Sequence, residues 1–205
     1  LIVCAVAWLA GYSFFDANWF AAGRVDGTLI RDGEWWRTIT ALTLHSGVRH
    51  LLGNLVFGVF FGIFAGRLLG SGIAWLAVLV AAMLGNTANT LLLESTHRSI
   101  GASTAVFATL GLLAGYVWRG QLMAQDRWST RFGPVVGGLA LLMFTCTGDE
   151  NTDIGAHLMG FVCGFAVGML LTVMGRMPAP ARVQYAAGAA AIGLVALAWL
   201  LALQA

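Results

Sequence analysis

The sequence predicts an all-α fold, a polytopic bundle of membrane-crossing helices, and three observations carry that expectation. Of the 205 residues, 59% are apolar and only 10% are charged, where a soluble domain averages about one quarter charged. The mean hydropathy is +0.83. The apolar residues also gather into seven stretches, most of them near the roughly 20 residues that a helix needs to cross about 30 Å of hydrocarbon. A water-soluble globule is thereby excluded. The composition, 27 glycines and 8 tryptophans against 3 prolines, excludes a disordered or collagen-like chain as well.

The predicted spans run Leu1 to Phe15, His50 to Leu69, Ile73 to Leu93, Ser103 to Trp118, Gly133 to Thr147, Gly155 to Met174 and Gln184 to Leu203. The fourth and fifth are short, about 22 to 24 Å as helix, so they are expected inside the bundle or against a thinned bilayer. The chain opens at Leu1 within an apolar run, and upstream residues are expected to be missing. Connections after the second, fourth and sixth spans carry Arg67, Arg119, Arg127, Arg131, Arg176 and Arg182 against Asp126 alone. That bias turns them to the cytoplasm, with the N-terminus inward and the C-terminus outward. The first connection, Asp16 to Arg49, is the only long one, and its Glu34-Trp35-Trp36-Arg37 cluster is expected in the headgroup region.

No internal repeat or linker divides the chain, so one domain is expected over residues 1–205, with a core of 1–175 and an additional C-terminal span at 184–203. The stretch Arg176 to Arg182, with Pro178 and Pro180, reads as the hinge between them. A net charge of +2 gives no reason to expect a nucleic-acid partner. Cys4, Cys146 and Cys163 lie in apolar stretches without ligand spacing, so no disulfide, metal or cofactor is expected.

Strongly polar residues are costly in lipid and mark functional sites when they face the bundle. His50 and Asn54 open the second span, Ser103 the fourth and His157 the sixth. Each interval between them holds two crossings, which returns all four to the same outer face, within about 10 Å of the boundary. His50 and Asn54 are four apart and share one helical face. Two small-residue stripes, Ser103-Phe107-Gly111-Gly115 and Gly160-Gly164-Gly168, predict close contact of the fourth and sixth spans.

A serine becomes a nucleophile when a base takes its proton, and histidine is the usual base. Ser103 and His157 suit these roles, with the Ser103 amide, Asn54 and His50 as donors to an oxyanion. Asp153 is placed to orient His157 but is expected as a solvated loop charge. Taken singly, each residue has a plainer reading as cap, packing or interhelical glue. His45 and His97 are expected at the interface, and Asn86 and Asn89 as interhelical hydrogen-bonding groups.

At this point the residues resemble the rhomboid family of intramembrane serine proteases. Gly101-Ala102-Ser103-Thr104, with Phe107 one turn on, is similar to the family's G-x-S-G nucleophile motif. Ala156-His157-Leu158-Met159-Gly160 and then Gly164 resembles A-H-x-x-G-x-x-x-G, His50 to Asn54 resembles H-x-x-x-N, and Trp36-Arg37 resembles the W-R pair of the first loop. The resemblance implies a six-helix core plus a seventh C-terminal transmembrane helix. It implies a catalytic dyad of Ser103 and His157, with Phe107 packed on the imidazole and His50 and Asn54 stabilising the oxyanion. Transmembrane protein substrates and the lipid bilayer are the implied partners, and a bacterial inner membrane is the expected location. Thr104 departs from the family's glycine, which restricts the backbone beside the nucleophile and adds bulk near the oxyanion site. That departure keeps open an alternative, a catalytically inactive relative that binds membrane clients. A channel would place its polar groups nearer the midplane.

Overall fold

The computed structural model describes residues 2–11, 17–92, 97–124, 136, 137, 140, 153–174 and 177–205. After α1 (Ile2–Gly11), the first connection folds into α2 (Trp19–Gly23), β1 (Val25–Asp26), α3 (Gly27–Arg31), α4 (Arg37–Thr40) and a 3₁₀ turn (Ala41–Thr43). Long helices follow: α5 (Val48–Leu69), α6 (Ser71–Leu92), α7 (Ser103–Ala124), α8 (Ile154–Leu171) and α9 (Ala181–Ala202), with β2 (Arg98–Ser99) leading into α7. Of these, α5, α6, α8 and α9 are long and apolar enough to cross a membrane.

The bounds differ instructively from the expected ones. The fourth span was expected to stop at Trp118, yet α7 has 22 residues, about 33 Å. Arg119 to Ala124 contain no proline, and apart from Gly120 they are good helix formers, so the backbone carries on past Trp118. Only ten residues of the first span are described as helix, and the fifth, apart from positions 136, 137 and 140, lies outside the described residues. The fold is also not purely α. β1 and β2 form a short antiparallel ladder, Val25 opposite Ser99 and Asp26 opposite Arg98, and Arg98 Nε donates to Asp26 at 3.0 Å.

The first connection is built around a buried arginine. Arg37 was expected at the interface, but its guanidinium turns inward, donating to Glu34 at 2.6 Å and to the carbonyls of Ala21 and Arg24 at 2.8 and 3.2 Å. A planar multi-donor cation can satisfy several otherwise unpaired oxygens at once, which makes its burial tolerable.

The seventh span is no hinged appendage. At the tight turn between α5 and α6, Gly70 takes a left-handed φ of 83°, a conformation that favours glycine. Gln184 of α9 caps this turn, donating to the Leu69 carbonyl at 2.8 Å and accepting from the Ile73 N–H at 3.0 Å. Both are helix-end groups with no partner of their own. At the far end of α9, Trp199 donates to the Thr43 hydroxyl at 3.1 Å and packs on Trp19 with ring centres 4.7 Å apart. The helix thus ties the α5–α6 turn to the first connection.

The core lies where α7 is enclosed by α5, α6 and α8. Ala108, Leu112 and Ala114 of α7 are fully buried.

Candidate active site

Ser103 is the first residue of α7, and the chain reaches it through Gly101 at φ 133°. Two bonds hold this entry. The Gly101 N–H donates to the Ala41 carbonyl at 2.9 Å, and the Ala102 N–H donates to His45 Nε2 at 3.4 Å. His45 is buried. Burial, and then the neighbouring His50, push its imidazole down to about 4, so near neutral pH its Nε2 is free to accept. Expected at the interface, His45 instead supports the nucleophile's backbone. The only sign of it in the sequence is an imidazole closing the mostly apolar Ala41 to Leu44 run.

His50 stands beside the same glycine. Its ring centre is 5.0 Å from that of His45, and its Nδ1 is 3.2 Å from the Ser46 hydroxyl. A Cβ on Gly101 would lie 2.7 and 2.8 Å from the His50 ring and 3.6 Å from Ser103 Oγ. Gly101 is therefore required both by its backbone and by the closeness of the imidazole, and His50 and Ser103 converge around it. Asn54 follows one turn later on α5, and its Nδ2 is buried without a partner. On the next turn Gly58 faces Val106 of α7, 3.7 Å from where its Cβ would stand, so this edge of α5 looks toward the nucleophile's helix.

His157 is 6% exposed. The Phe107 ring stacks on it with centres 4.5 Å apart and planes at 26°. Phe107 is four residues after Ser103, on the same face of α7, which sets the hydroxyl one turn from the stacked pair. The helices come this close because of glycine. A Cβ on Gly160 would stand 2.6 Å from the Thr104 carbonyl oxygen, and one on Gly85 of α6 would stand 2.9 Å from Gly160 Cα. Three backbones therefore meet at Gly160. Gly164 and Gly168 lie against Ala108 and Leu112, and Gly111 and Gly115 against Phe161 and Phe165. The expected contact of two stripes is thus offset by one position: the α8 glycines face the row Thr104-Ala108-Leu112 and the α7 glycines face phenylalanine backbones.

Among the described residues, Ser103 and His157 share no hydrogen bond, and His157 Nδ1 is buried without one. Catalytic hydrogen bonds are commonly long before substrate arrives. Among the described residues the buried side-chain nitrogens without a partner are those of His45, Asn54 and His157 and, in the first connection, Arg24 Nε and Trp36 Nε1, and a buried polar atom left unpaired calls for a reason such as a working site. A small cavity of about 10 Å³ lies beside Ser103, lined also by Thr104, Asn86, Ser99 and Asp153. No cluster of His, Cys, Asp and Glu that could hold a metal ion occurs among the described residues.

Asp153 is not the solvated charge expected of it. It caps α8, accepting from the Ala156 N–H at 2.9 Å, and it accepts from His97 Nε2 at 2.8 Å and Asn89 Nδ2 at 3.2 Å. Burial raises its carboxyl, but the Ala156 N–H and His97 outweigh that and hold it below the ordinary 3.8. His97, expected at the interface, is the partner of this carboxylate. Asn86 and Asn89 bond across elements as expected, Asn86 donating to the Thr38 carbonyl at 2.8 Å.

A helical membrane protein with a serine and a histidine on abutting helices at one end of the bundle is the class that fold and site define. Residues 32–174 match the Rhomboid domain, and the chain belongs to the rhomboid family. It is 32% identical over 145 residues to Rhomboid-like protease 1 of Toxoplasma gondii, covering 69% of this chain and 49% of that protein. It is 29% identical over 142 residues to Putative rhomboid protease YdcA of Bacillus subtilis, covering 69% of each. To Rhomboid protease GluP of the same bacterium it is 39% identical over 150 residues, covering 73% of this chain and 29% of that protein. The chain therefore spans about half of the first of these relatives and under a third of the last. The family and the apolar helices make it an integral, multi-pass membrane protein.

Proposed function

We propose that this rhomboid protein is an intramembrane serine endopeptidase that cuts peptide bonds in or near the transmembrane segments of membrane-protein substrates. The observation that carries this reading is the Phe107–His157 stack, 4.5 Å between ring centres and one helical turn from Ser103, on two helices joined through glycine. His157 takes the proton of Ser103 Oγ as the oxygen attacks the scissile carbonyl, and then delivers it to the leaving amine. The acyl-enzyme is released by water, activated by the same imidazole. Negative charge on the carbonyl oxygen is met by the partnerless Asn54 Nδ2, by His50 and by the Ser103 N–H, which as the first N–H of α7 has no partner within its helix.

The proposed topology is one domain, six core spans over 1–175 and α9 as the seventh. The proposed setting is a bacterial plasma membrane, with relatives in Bacillus as well as in Toxoplasma. The second reading, a client-binding protein without activity, rests on Thr104. That residue is buried, and its methyl lies toward Gly160, 3.1 Å from where a Cβ there would stand, so the added bulk is taken up at the α7–α8 contact. The deciding experiment is labelling of the detergent-solubilised protein with a fluorophosphonate probe, alongside cleavage of a single-span substrate. Wild type is expected to label and cut, Ser103→Ala to do neither, and His157→Ala to lose at least about 100-fold. Cleavage by Ser103→Ala at the wild-type rate ends the dyad assignment, and client binding without labelling replaces it with the second reading.

A further inference from the structure

Among the described residues, two partly buried titratable side chains outside the roles given above, His97 and Asp153, meet the buried Asn89 amide and reach both halves of the site. We infer that this cluster is a positioning clamp that sets the register between the segment delivering Ser103 and the helix delivering His157. The inference rests on the proposed roles of those two residues.

Asp153 governs the first turn of α8. Its Oδ1 accepts from the Ala156 N–H at 2.9 Å, and its backbone carbonyl accepts from the His157 N–H at 3.1 Å. The residue that bears the imidazole and the one before it are thus both anchored on Asp153. The remaining carboxylate oxygen accepts from His97 Nε2 at 2.8 Å, which assigns the proton to that nitrogen. Asn89 Nδ2 then donates to the carboxylate, 3.2 Å from each oxygen. Gly155 leaves room for the Asn89 amide, since a Cβ there would overlap it.

His97 governs the other half. Its carbonyl accepts from the Gly27 N–H at 3.0 Å, and the next residues pair with β1. The chain then reaches Gly101, bonded to Ala41, and Ala102, bonded to His45. From His97 to Ser103, most of the backbone is tied to the first connection. Side-chain bonds to Asp153 join that tied segment to the start of α8, from His97 at 2.8 Å and from Ser99 beside it, and Asn89 joins the carboxylate to α6. Loss of the His97 bond loosens the entry to α7 and the first turn of α8, which lie beyond the glycine seam that begins at Gly160, and misplacement of about 1 Å there is enough to slow a reaction many-fold.

The test uses the full chain in detergent and compares wild type with His97→Ala, His97→Gln, Asp153→Asn, Asp153→Ala and the double variant His97→Ala/Asp153→Ala. Two measurements are made on each: probe labelling with kcat and KM for a single-span substrate, and hydrogen exchange of the first-turn amides of α8. His97→Ala is expected to lower labelling and kcat about 10-fold with KM within about 2-fold. It is also expected to speed exchange in α8, a helix to which it does not belong. The double variant is expected to be no slower than the slower single one. Asp153→Asn, which keeps an oxygen for the Ala156 N–H, is expected to recover part of what Asp153→Ala loses. Should the Asp153 variants not fold, the His97 variants decide alone, because they leave the cap bond in place. Wild-type labelling and wild-type exchange in His97→Ala, or single effects that multiply in the double variant, overturn the clamp. If wild type itself does not label, the protease reading falls while the exchange measurement still decides the clamp.

Discussion

The helices α5 and α8 both bring proposed catalytic groups to Ser103, but they are held differently. Within the described residues, 39% of the apolar stretch of α8 is buried and only 6% of that of α5. His157 therefore rides on a helix locked to two neighbours through Gly160, with backbone against backbone. His50 and Asn54 ride on one packed along an edge, whose other face shows Val56, Phe60 and Phe64 outward. The difference separates two tasks. A proton acceptor must hold its angle to the nucleophile, which the rigid glycine contacts of α8 secure, whereas the donors on α5 must be held in place through the contact of one α5 edge with α7.

The comparison is broken most severely by filling the α7–α8 seam. Gly164→Leu drives a side chain into the Ala108 backbone, and overpacking of this kind costs about 3 kcal/mol or more. The melting temperature in detergent and probe labelling should fall together. Next comes Asn54→Ala, which removes the partnerless donor and should lower kcat about 100-fold, or about 2.7 kcal/mol, with the melting temperature nearly unchanged. Smaller per pH unit is a dependence carried by His45, which supports the backbone leading to Ser103. His45 is held neutral in the fold down to about 4 against an ordinary 6.5, so below 6.5 the unfolded chain takes up a proton that the folded one refuses. Stability should fall as pH drops from 6.5 toward 4, by at most about 1.4 kcal/mol per pH unit. His45→Gln should flatten that slope in a series of melts. The smallest change is Gly53→Ala on α5, where nothing lies within 4 Å of the new Cβ. It should stabilise by about 0.5 to 1 kcal/mol or less through helix propensity, leaving kcat untouched. A large loss there would mean that α5 is as closely held as α8.

Where the chain is helical and apolar was legible along its length. The starts and ends of α5, α6, α8 and α9 lie within three residues of the expected spans. The approach of His50 to the segment leading into Ser103, and of the His157 helix to the Ser103 helix, was expected from motif positions alone. The seam between α7 and α8 was legible as glycines, but its register was not, since a one-position offset leaves the same stripes. Asp153, His97, His45 and Arg37 were misjudged. Each looks locally like a loop or interfacial polar group. The deciding partners of the histidines and Asp153 stand far off in sequence, 56 residues for His97 with Asp153 and 57 for Ala102 with His45, and the carbonyls that Arg37 meets lie 13 and 16 residues back. Hydropathy read along the chain has no access to such pairings.

By itself the sequence determined that this protein is built of apolar helices, that a serine and a histidine open two of them, and that glycine lets those two touch. These follow from local composition and from the cost of exposing polar backbone to lipid. Only the tertiary structure decided which buried charges find partners, which row of α7 meets α8, and that α9 binds the α5–α6 turn through Gln184. A buried polar atom is stable only against a particular partner at hydrogen-bond distance, and that partner exists only once the helices have met.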